Sequence, residues 1–128
     1  MPAIIANITL VVPEYDDAIA FYTNVSGFKL VEDTDLGGGK RWVRVRPEGS
    51  ETCLLLAQAR GDRQIAAIGN QTGGRVGFFL HTDDFDREHA ALTRANCVFA
   101  GPVRNESYGK VVVFQDPFGN LWDLIEPA

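Results

Sequence analysis

The chain has 128 residues, of which 45% are hydrophobic, so it can form one globular domain whose core needs no disulfide or metal. Its formal net charge of −5 argues against nucleic-acid binding, which requires a basic face for the phosphates. No apolar run approaches the roughly 20 residues of a membrane span, no signal peptide is evident, and the two cysteines form no disulfide framework, so a reduced cytoplasmic protein is expected.

The first half of the chain reads as one strand, one helix and three more strands. Its predicted strands cover residues 8–12, 28–32, 41–46 and 52–57. An acidic turn at 13–17 suits a helix N-terminus, and apolar residues then recur with helical spacing until Gly27, which predicts the helix end. Glycine and proline turns at 37–39 and 47–50 separate the last strands.

The second half repeats this order after a polar segment, residues 59–73, that reads as a linker. Its predicted strands cover residues 76–82, 97–100, 110–115 and 121–126. Phe85, His89 and Leu92 share one face of the predicted helix between the first two strands, and Asn96 predicts its end.

An internal repeat connects the two halves. Shifted by 70 residues, residues 4–58 lie on 74–128 without a gap. The identical pairs are Leu10/Leu80, Asp16/Asp86, Ala20/Ala90, Thr23/Thr93, Gly39/Gly109, Lys40/Lys110, Val43/Val113, Pro47/Pro117, Gly49/Gly119 and Leu54/Leu124. We therefore predict a single α+β domain, 1–128, built from two βαβββ modules at about 4–58 and 74–128, with a linker at about 59–73.

Each predicted module leaves one face of its sheet uncovered, whereas two modules together can curl into a cup with the helices outside. A hollow lined by strands is a natural pocket for a small molecule. The alternative is a cup filled by its own side chains, which would make the chain a structural or interaction module.

A strand and an acidic turn open the chain as NITLVVPEYDDAIAFYTNVSGFKLVED, residues 7–33. An Asp-Pro-x-Gly-Asn turn leads into the final strand as DPFGNLWDLIEP, residues 116–127. Both segments resemble the vicinal oxygen chelate superfamily of glyoxalases, bleomycin resistance proteins and dioxygenases. With the paired modules, the resemblance covers essentially the whole chain. It implies the cup-shaped fold but no particular reaction, because the members include enzymes and antibiotic-binding proteins.

In metal-dependent members of this superfamily, four ligands lie on the first and last strands of the two modules. By resemblance, the corresponding positions here are Asn7, Cys53, Gly77 and Asp123, and the shift of 70 residues relates the same positions in pairs. Gly77 has no side chain, and Asn7 offers only a neutral amide. A catalytic zinc ion needs three protein ligands plus water, and an extradiol-type iron needs two histidines and a carboxylate. We therefore expect no metal and no cofactor, with a divalent metal in a reduced or displaced site as the alternative.

Asp123 is the leading candidate for a catalytic residue. Strand alternation places it on one face with Leu121 and Ile125, and the resemblance implies that this face lines the cup. A carboxylate there requires a partner or water, so Asp123 is expected to act as a general base, to anchor a ligand, or to pair with a strand arginine such as Arg41.

Further candidates for ligand contacts lie on strands and loops. His81 shares a predicted strand face with Gly77, and Tyr108 and Phe118 lie in loops, where recognition residues concentrate. Most other large aromatic side chains are predicted to belong to the core, a group comprising Trp42, Phe78, Phe79, Phe114 and Trp122. The full set of predicted ligand-binding positions is Asn7, Arg41, Cys53, Gly77, His81, Tyr108, Phe118 and Asp123.

The sequence favours a metal-independent protein that binds a small, partly apolar organic molecule, with a polar group of the ligand near Asp123 and Arg41. The rival interpretation is a metal-dependent lyase, isomerase or dioxygenase of the same superfamily. The resemblance also implies a homodimer. The sequence leaves open whether the cup forms within one chain or between the first module of one chain and the second module of its partner.

Overall fold

The structure is a computed structural model that describes residues 2–128, and the chain divides into two compact units, residues 1–68 and 69–128. The first unit contains β1 (Asn7–Val12), α1 (Tyr15–Ala20), β2 (Lys29–Gly37), β3 (Lys40–Arg46), β4 (Cys53–Gln58) and α2 (Gly61–Ala67). The second unit contains β5 (Phe78–His81), α3 (Phe85–Arg94), β6 (Arg104–Glu106), β7 (Gly109–Gln115) and β8 (Leu121–Pro127). A π-helical segment, Phe21–Val25, continues α1.

Each unit has a four-stranded mixed sheet. The strand order is β1-β4-β3-β2 in the first unit and β5-β8-β7-β6 in the second. The first and last strands of each unit are parallel neighbours, while the other pairs are antiparallel. Two units of the same topology confirm the predicted α+β fold class. No helix within residues 2–128 has the length and apolar character needed to cross a bilayer.

The core of the first unit lies between its sheet and α1. Strand alternation places these buried side chains on the face towards the helix: Leu10, Val12, Val43, Val45, Leu54 and Leu56. Ala18, Phe21 and Tyr22 are buried on the helical side. The Tyr15 hydroxyl oxygen accepts a 3.1 Å hydrogen bond from the backbone N–H of Arg41, which ties the start of α1 to β3. Alternate strand residues therefore point away from α1.

In the second unit, α3 lies against the equivalent face of the sheet. Asp84 caps the helix by accepting a 3.1 Å hydrogen bond from the backbone N–H of Arg87. Phe85 is buried at the start of the helix. His89 stacks against the rings of Phe85 and Phe99, with ring centroids 5.7 and 4.5 Å away. His89 therefore has a packing role.

A buried carboxylate organises the turn that precedes β8. Asp116 is 4% exposed, and its oxygens accept hydrogen bonds from the backbone N–H groups of Phe118 and Asn120. They also accept hydrogen bonds from the side chains of Asn120 and Trp122, at 2.8 and 3.2 Å. The Asp-Pro-x-Gly-Asn motif thus sets the entry of β8 and, through it, the position of Asp123.

One of the predicted strands is wrong. Residues 97–100 form only an isolated bridge between Phe99 and Phe114, flanked by two backbone hydrogen bonds to β7. The glycine and proline that follow interrupt the pairing, because proline lacks the N–H that a ladder requires. The chain pairs with β7 again only at β6.

The predicted helix ends are confirmed by backbone geometry. Gly27 and Asn96 have positive φ angles of 68° and 60°, as expected for residues that follow a helix C-terminus. The predicted linker contains α2, which the sequence did not indicate. None of the residues of α2 is buried, so no apolar periodicity marks this helix.

Candidate ligand-binding site

The predicted site residues lie mainly on the sheet faces that point away from α1 and α3. The first site face, in the first unit, consists of Asn7, Thr9, Trp42, Arg44, Cys53 and Leu55. The second site face, in the second unit, consists of Phe79, His81, Arg104, Asp123 and Ile125. Glu126 lies on the face of β8 opposite Asp123. Its carboxylate accepts a 2.8 Å hydrogen bond from the backbone N–H of Phe85, which shows that this opposite face points towards α3.

Arg44 connects the polar groups of the first site face. Its Nε donates to Asn7 Oδ1 at 2.9 Å, and a terminal nitrogen donates to Cys53 Sγ at 3.4 Å. The other terminal nitrogen donates to Glu32 Oε1 at 3.3 Å. A permanently charged guanidinium therefore contacts both predicted metal-ligand positions of the first unit.

The strand pairings relate the residues of the two units differently from the shift of 70 residues. Asp123 pairs with Phe79, the residue that the shift of 70 relates to Thr9. Thr9 itself pairs with Leu55, so Leu55 rather than Cys53 holds the place of Asp123 in the first unit. The chain from Thr9 to Leu55 is two residues longer than the chain from Phe79 to Asp123, and the loop between β3 and β4 accounts for one of the two, so an ungapped shift cannot align both sides. The side chain of Leu55 has no atom that could coordinate a metal.

Gly77, the predicted metal-ligand position on the first strand of the second unit, has little room for a side chain. A Cβ atom built there would lie 2.8 Å from Thr72 Cγ2. The Thr72 hydroxyl donates a 2.6 Å hydrogen bond to the Arg75 carbonyl oxygen, which holds the side chain in place. A coordinating residue would fit only if Thr72 moved.

Asp123 is the polar centre of the second site face. Its Oδ1 is buried and has no hydrogen-bond partner among residues 2–128. Burial raises the pKa of this carboxyl group, and the positive charge of Arg104 offsets the effect only in part. Phe79, its cross-strand neighbour, is 64% exposed, and His81 lies on the same face at the end of β5. The second site face thus combines an unsatisfied acceptor with an exposed aromatic ring.

The residues at the four predicted ligand positions do not fit a divalent metal ion. The first unit offers an amide and a buried thiol that both contact Arg44, and the second offers a glycine and one carboxylate. A cation in the first unit would have to displace the guanidinium. In the part of the chain that the structure describes, no group of three or more His, Cys, Asp or Glu side chains could hold a metal ion.

The two predicted loop residues lie apart from Asp123. The Tyr108 carbonyl oxygen accepts a 3.0 Å hydrogen bond from Ala128, just after β8 ends. Phe118 lies in the turn before β8 begins, where it lines a cavity of about 470 Å³ together with Cys97. The two aromatic side chains are therefore at opposite ends of the strand and do not form one site around Asp123.

Arg41 belongs to the side of its sheet that faces α1. Its guanidinium contacts Asp33 at 2.7 Å and Asp16 at 2.9 Å, and it lies 5.1 Å from the centre of the Tyr15 ring. The hydrogen bonds from Arg41 hold the pKa of the Asp33 carboxyl group below its usual value. The carboxylate partners of Arg41 are thus Asp16 and Asp33 rather than Asp123.

Several residues of the site faces were not among the predicted positions, and Arg44 and Phe79 matter most among them for the proposed site. The prediction that Phe79 belongs to the core is wrong, because its side chain is 64% exposed. Nothing in the sequence beyond its place in a strand distinguished Arg44, because its contacts depend on the register of β1, β3 and β4. Strand alternation already placed Phe79 on the face of Gly77 and His81, and that signal could have identified it.

Comparisons with known proteins agree with this fold. The family model described as the Glyoxalase/Bleomycin resistance protein/Dioxygenase superfamily matches residues 4–124. An uncharacterized protein of Shewanella frigidimarina (strain NCIMB 400) is 48% identical over 124 residues, which cover 95% of this chain and 92% of that protein.

Solved structures that are similar to this chain include two proteins from Streptomyces sp. CB03234. TnmS3, described as an antibiotic binding protein, is 28% identical with a TM-score of 0.76, and the match covers 99% of this chain and 98% of TnmS3. A glyoxalase/bleomycin resistance protein is 31% identical with a TM-score of 0.67, and the match covers 94% of this chain and 99% of that protein.

Proposed function

Because the chain belongs to the glyoxalase/bleomycin resistance protein/dioxygenase superfamily, we propose that it binds a small, partly apolar organic molecule without using a metal ion. The observation that carries the proposal is the buried, unpartnered Oδ1 of Asp123 beside the exposed ring of Phe79. A ligand with a ring and a hydrogen-bond donor would satisfy both groups at once.

Asp123 has the role of an anchor in this proposal. A buried acceptor without a partner destabilises a protein by about 1–3 kcal/mol, and a ligand that donates to it recovers this energy. The requirement for a donor also orients the ligand, because the apolar part must then lie against Phe79. The raised pKa of the Asp123 carboxyl group would also suit a proton acceptor, so the test must detect turnover.

The contacts of Arg44 support the proposal that binding needs no metal ion. Its guanidinium supplies the positive charge on the first site face and contacts Asn7 and Cys53 directly. The similarity to TnmS3, which is described as an antibiotic binding protein, together with the exposed ring of Phe79, makes antibiotics that contain an aromatic ring the first compounds to test.

The experiment is a thermal-shift screen of such compounds against the natural chain and three variants. We expect a ligand to raise the melting temperature of the natural protein. Phe79→Ala and Asp123→Ala, which removes the acceptor, should lose this effect, whereas Val98→Ala, which removes another exposed apolar side chain, should keep it. The ligand should be recovered with an unchanged NMR spectrum, which excludes isomerisation as well as cleavage and oxidation, and EDTA should leave binding unaltered.

Two results would contradict the proposal in favour of the enzyme interpretation. The first is a ligand that is converted to a product of different structure during incubation. The second is binding that EDTA abolishes and one divalent metal restores. Either result would indicate a metal-dependent or Asp123-dependent lyase, isomerase or dioxygenase. A screen in which Phe79→Ala and Asp123→Ala respond like the natural chain would place the ligand elsewhere.

We further propose that the chain forms a homodimer, as the family resemblance implies. Exposed apolar side chains near the start of the first unit support this, because surfaces of this kind commonly mediate contacts between protein chains. These side chains are Ile4, Ile5 and Ile8.

A further inference from the structure

A cavity of about 490 Å³ lies within the first unit, near the end of its sheet where β1 and β4 finish. Trp42 and Leu55 of the first site face supply apolar lining, and the buried Tyr15 borders the cavity from the α1 side of the sheet. The volume is in the range that accommodates small organic ligands. The cavity is therefore large enough for a planar molecule of two or three fused rings.

The charges around this cavity are opposite to the charge of the chain. Its charged lining residues are Lys40, Arg41 and Arg60, and none of the described residues that line it is an Asp or Glu. The chain as a whole has a formal net charge of −5. An all-cationic lining in an acidic protein attracts anions locally and selects against cations.

The three cations are not equivalent. Arg41 is paired with Asp16 and Asp33, so its charge is locally balanced. Lys40 and Arg60 are exposed and have no carboxylate within 4.0 Å in residues 2–128. Lys40 and Arg60 are thus the lining charges available to a ligand.

The backbone contacts of Arg60 keep its charge at the cavity. A terminal nitrogen of its guanidinium donates a 3.4 Å hydrogen bond to the Gly38 carbonyl oxygen in the β2–β3 turn. Its backbone N–H donates to Gln64 Oε1 at 2.9 Å at the start of α2. Arg60 therefore joins α2 to the turn that leads into Lys40, the first residue of β3, and brings both charges to one rim.

We propose that this cavity is a second binding site, within the first unit, for a planar, largely apolar molecule that carries a carboxylate or another anion. The inference goes beyond the proposed function, because it concerns a cavity of the first unit, whereas Asp123 and Phe79 lie in the second. Trp42 and Leu55 accept the apolar part, and Lys40 and Arg60 accept the anion.

The test uses two probes of one shape, 2-naphthoate and its neutral amide, 2-naphthamide, titrated calorimetrically at constant ionic strength. We expect 2-naphthoate to bind at least fivefold more tightly than 2-naphthamide. Lys40→Ala and Arg60→Gln should each weaken naphthoate binding about three- to fivefold, since a partly solvated charge pair contributes up to about 1 kcal/mol. The double variant should weaken it about tenfold, and naphthamide binding should be unchanged in every variant.

Lys29→Ala is the matched control, because it removes an exposed charge from β2 that does not line the cavity. Equal binding of the two probes, or an equal effect of Lys29→Ala and Lys40→Ala, would overturn the anionic assignment and leave the proposed function intact. If neither probe binds while the antibiotic screen finds a ligand that Lys40→Ala does not affect, the anionic assignment alone fails. If neither probe and no compound of the screen binds, both proposals fail.

Discussion

The unpartnered carboxylate of Asp123 connects stability with function at the scale of one residue. Burial raises its pKa in the folded protein, so folding favours the protonated form. Its contribution to stability is therefore complete below the unfolded pKa of about 4 and is lost as the pH rises through the higher folded pKa. At neutral pH the natural residue is less favourable for folding than an amide would be.

We predict that Asp123→Asn raises the melting temperature at pH 7 by about 2–4 °C, and that the difference disappears near pH 4. Calorimetric scans across this pH range measure both quantities. Glu51→Gln, which neutralises an exposed loop carboxylate, is the control and should change little. A variant that is less stable than the natural chain at pH 7 would show that Asp123 has a stabilising partner in solution.

For Arg44 we predict the opposite effect on stability. Its substitution should destabilise the protein, because its N–H groups already donate hydrogen bonds. Arg44→Ala leaves Asn7 Oδ1 and Glu32 Oε1 without their donor, and should lower the free energy of unfolding by about 1–2 kcal/mol. Glu32→Gln removes only the partly exposed ion pair at 3.3 Å and should cost less than about 1 kcal/mol. Urea denaturation compares the two variants, and equal losses would contradict a role for the contacts with Asn7 and Cys53.

At the scale of elements, the entry of β8 depends on Asp116. Asp116→Ala removes the acceptor of several hydrogen bonds in a buried turn, and should destabilise the protein by about 2–4 kcal/mol. Asp62→Ala, at an exposed position of α2, should cost less than about 1 kcal/mol. Chemical denaturation distinguishes these outcomes. Similar losses in both variants would refute the structural role of the Asp-Pro-x-Gly-Asn motif.

Substitutions at two glycines of the second unit can distinguish the free-energy cost of a strained backbone from the cost of a steric clash. Gly69 and Gly73 both have φ of 70°, but only at Gly69 would a Cβ atom collide with the Phe118 carbonyl oxygen. Gly73→Ala should therefore cost about 1 kcal/mol, from the backbone alone, and Gly69→Ala should cost at least about 2 kcal/mol. Equal midpoints in urea for the two variants would show that the Phe118 turn moves aside freely.

The elements themselves differ in how well the sequence predicts them. The strands with strong alternation and the two helices that follow acidic turns are local patterns, and they occur where expected. The strand predicted at 97–100 failed because a glycine and proline interrupted its pairing with β7. Helix α2 was not foreseen because it buries no residue and so has no apolar stripe.

At the scale of the whole molecule, the proposed homodimer gives the last prediction. Light scattering at micromolar concentration should give twice the 14.0 kDa mass of one chain. Ile5→Glu, which places a charge among the exposed apolar side chains, should shift the mass towards that of one chain. Ile65→Glu on α2 is the control and should leave the dimer intact. A mass of one chain for the natural protein would reject the dimer.

The sequence alone determined the family, the two repeated units and the alternation that puts Asp123 on a different face from Trp122 and Leu124, because periodicity and turn chemistry are properties of neighbouring residues. Only the tertiary structure decided that Leu55 matches Asp123, and that Arg44 contacts Asn7 and Cys53. These relations depend on strand register, which differs by two residues between the units for the strand pair that carries Asp123. The ungapped shift of the sequence conceals this difference, because register is set by how the strands pair in three dimensions.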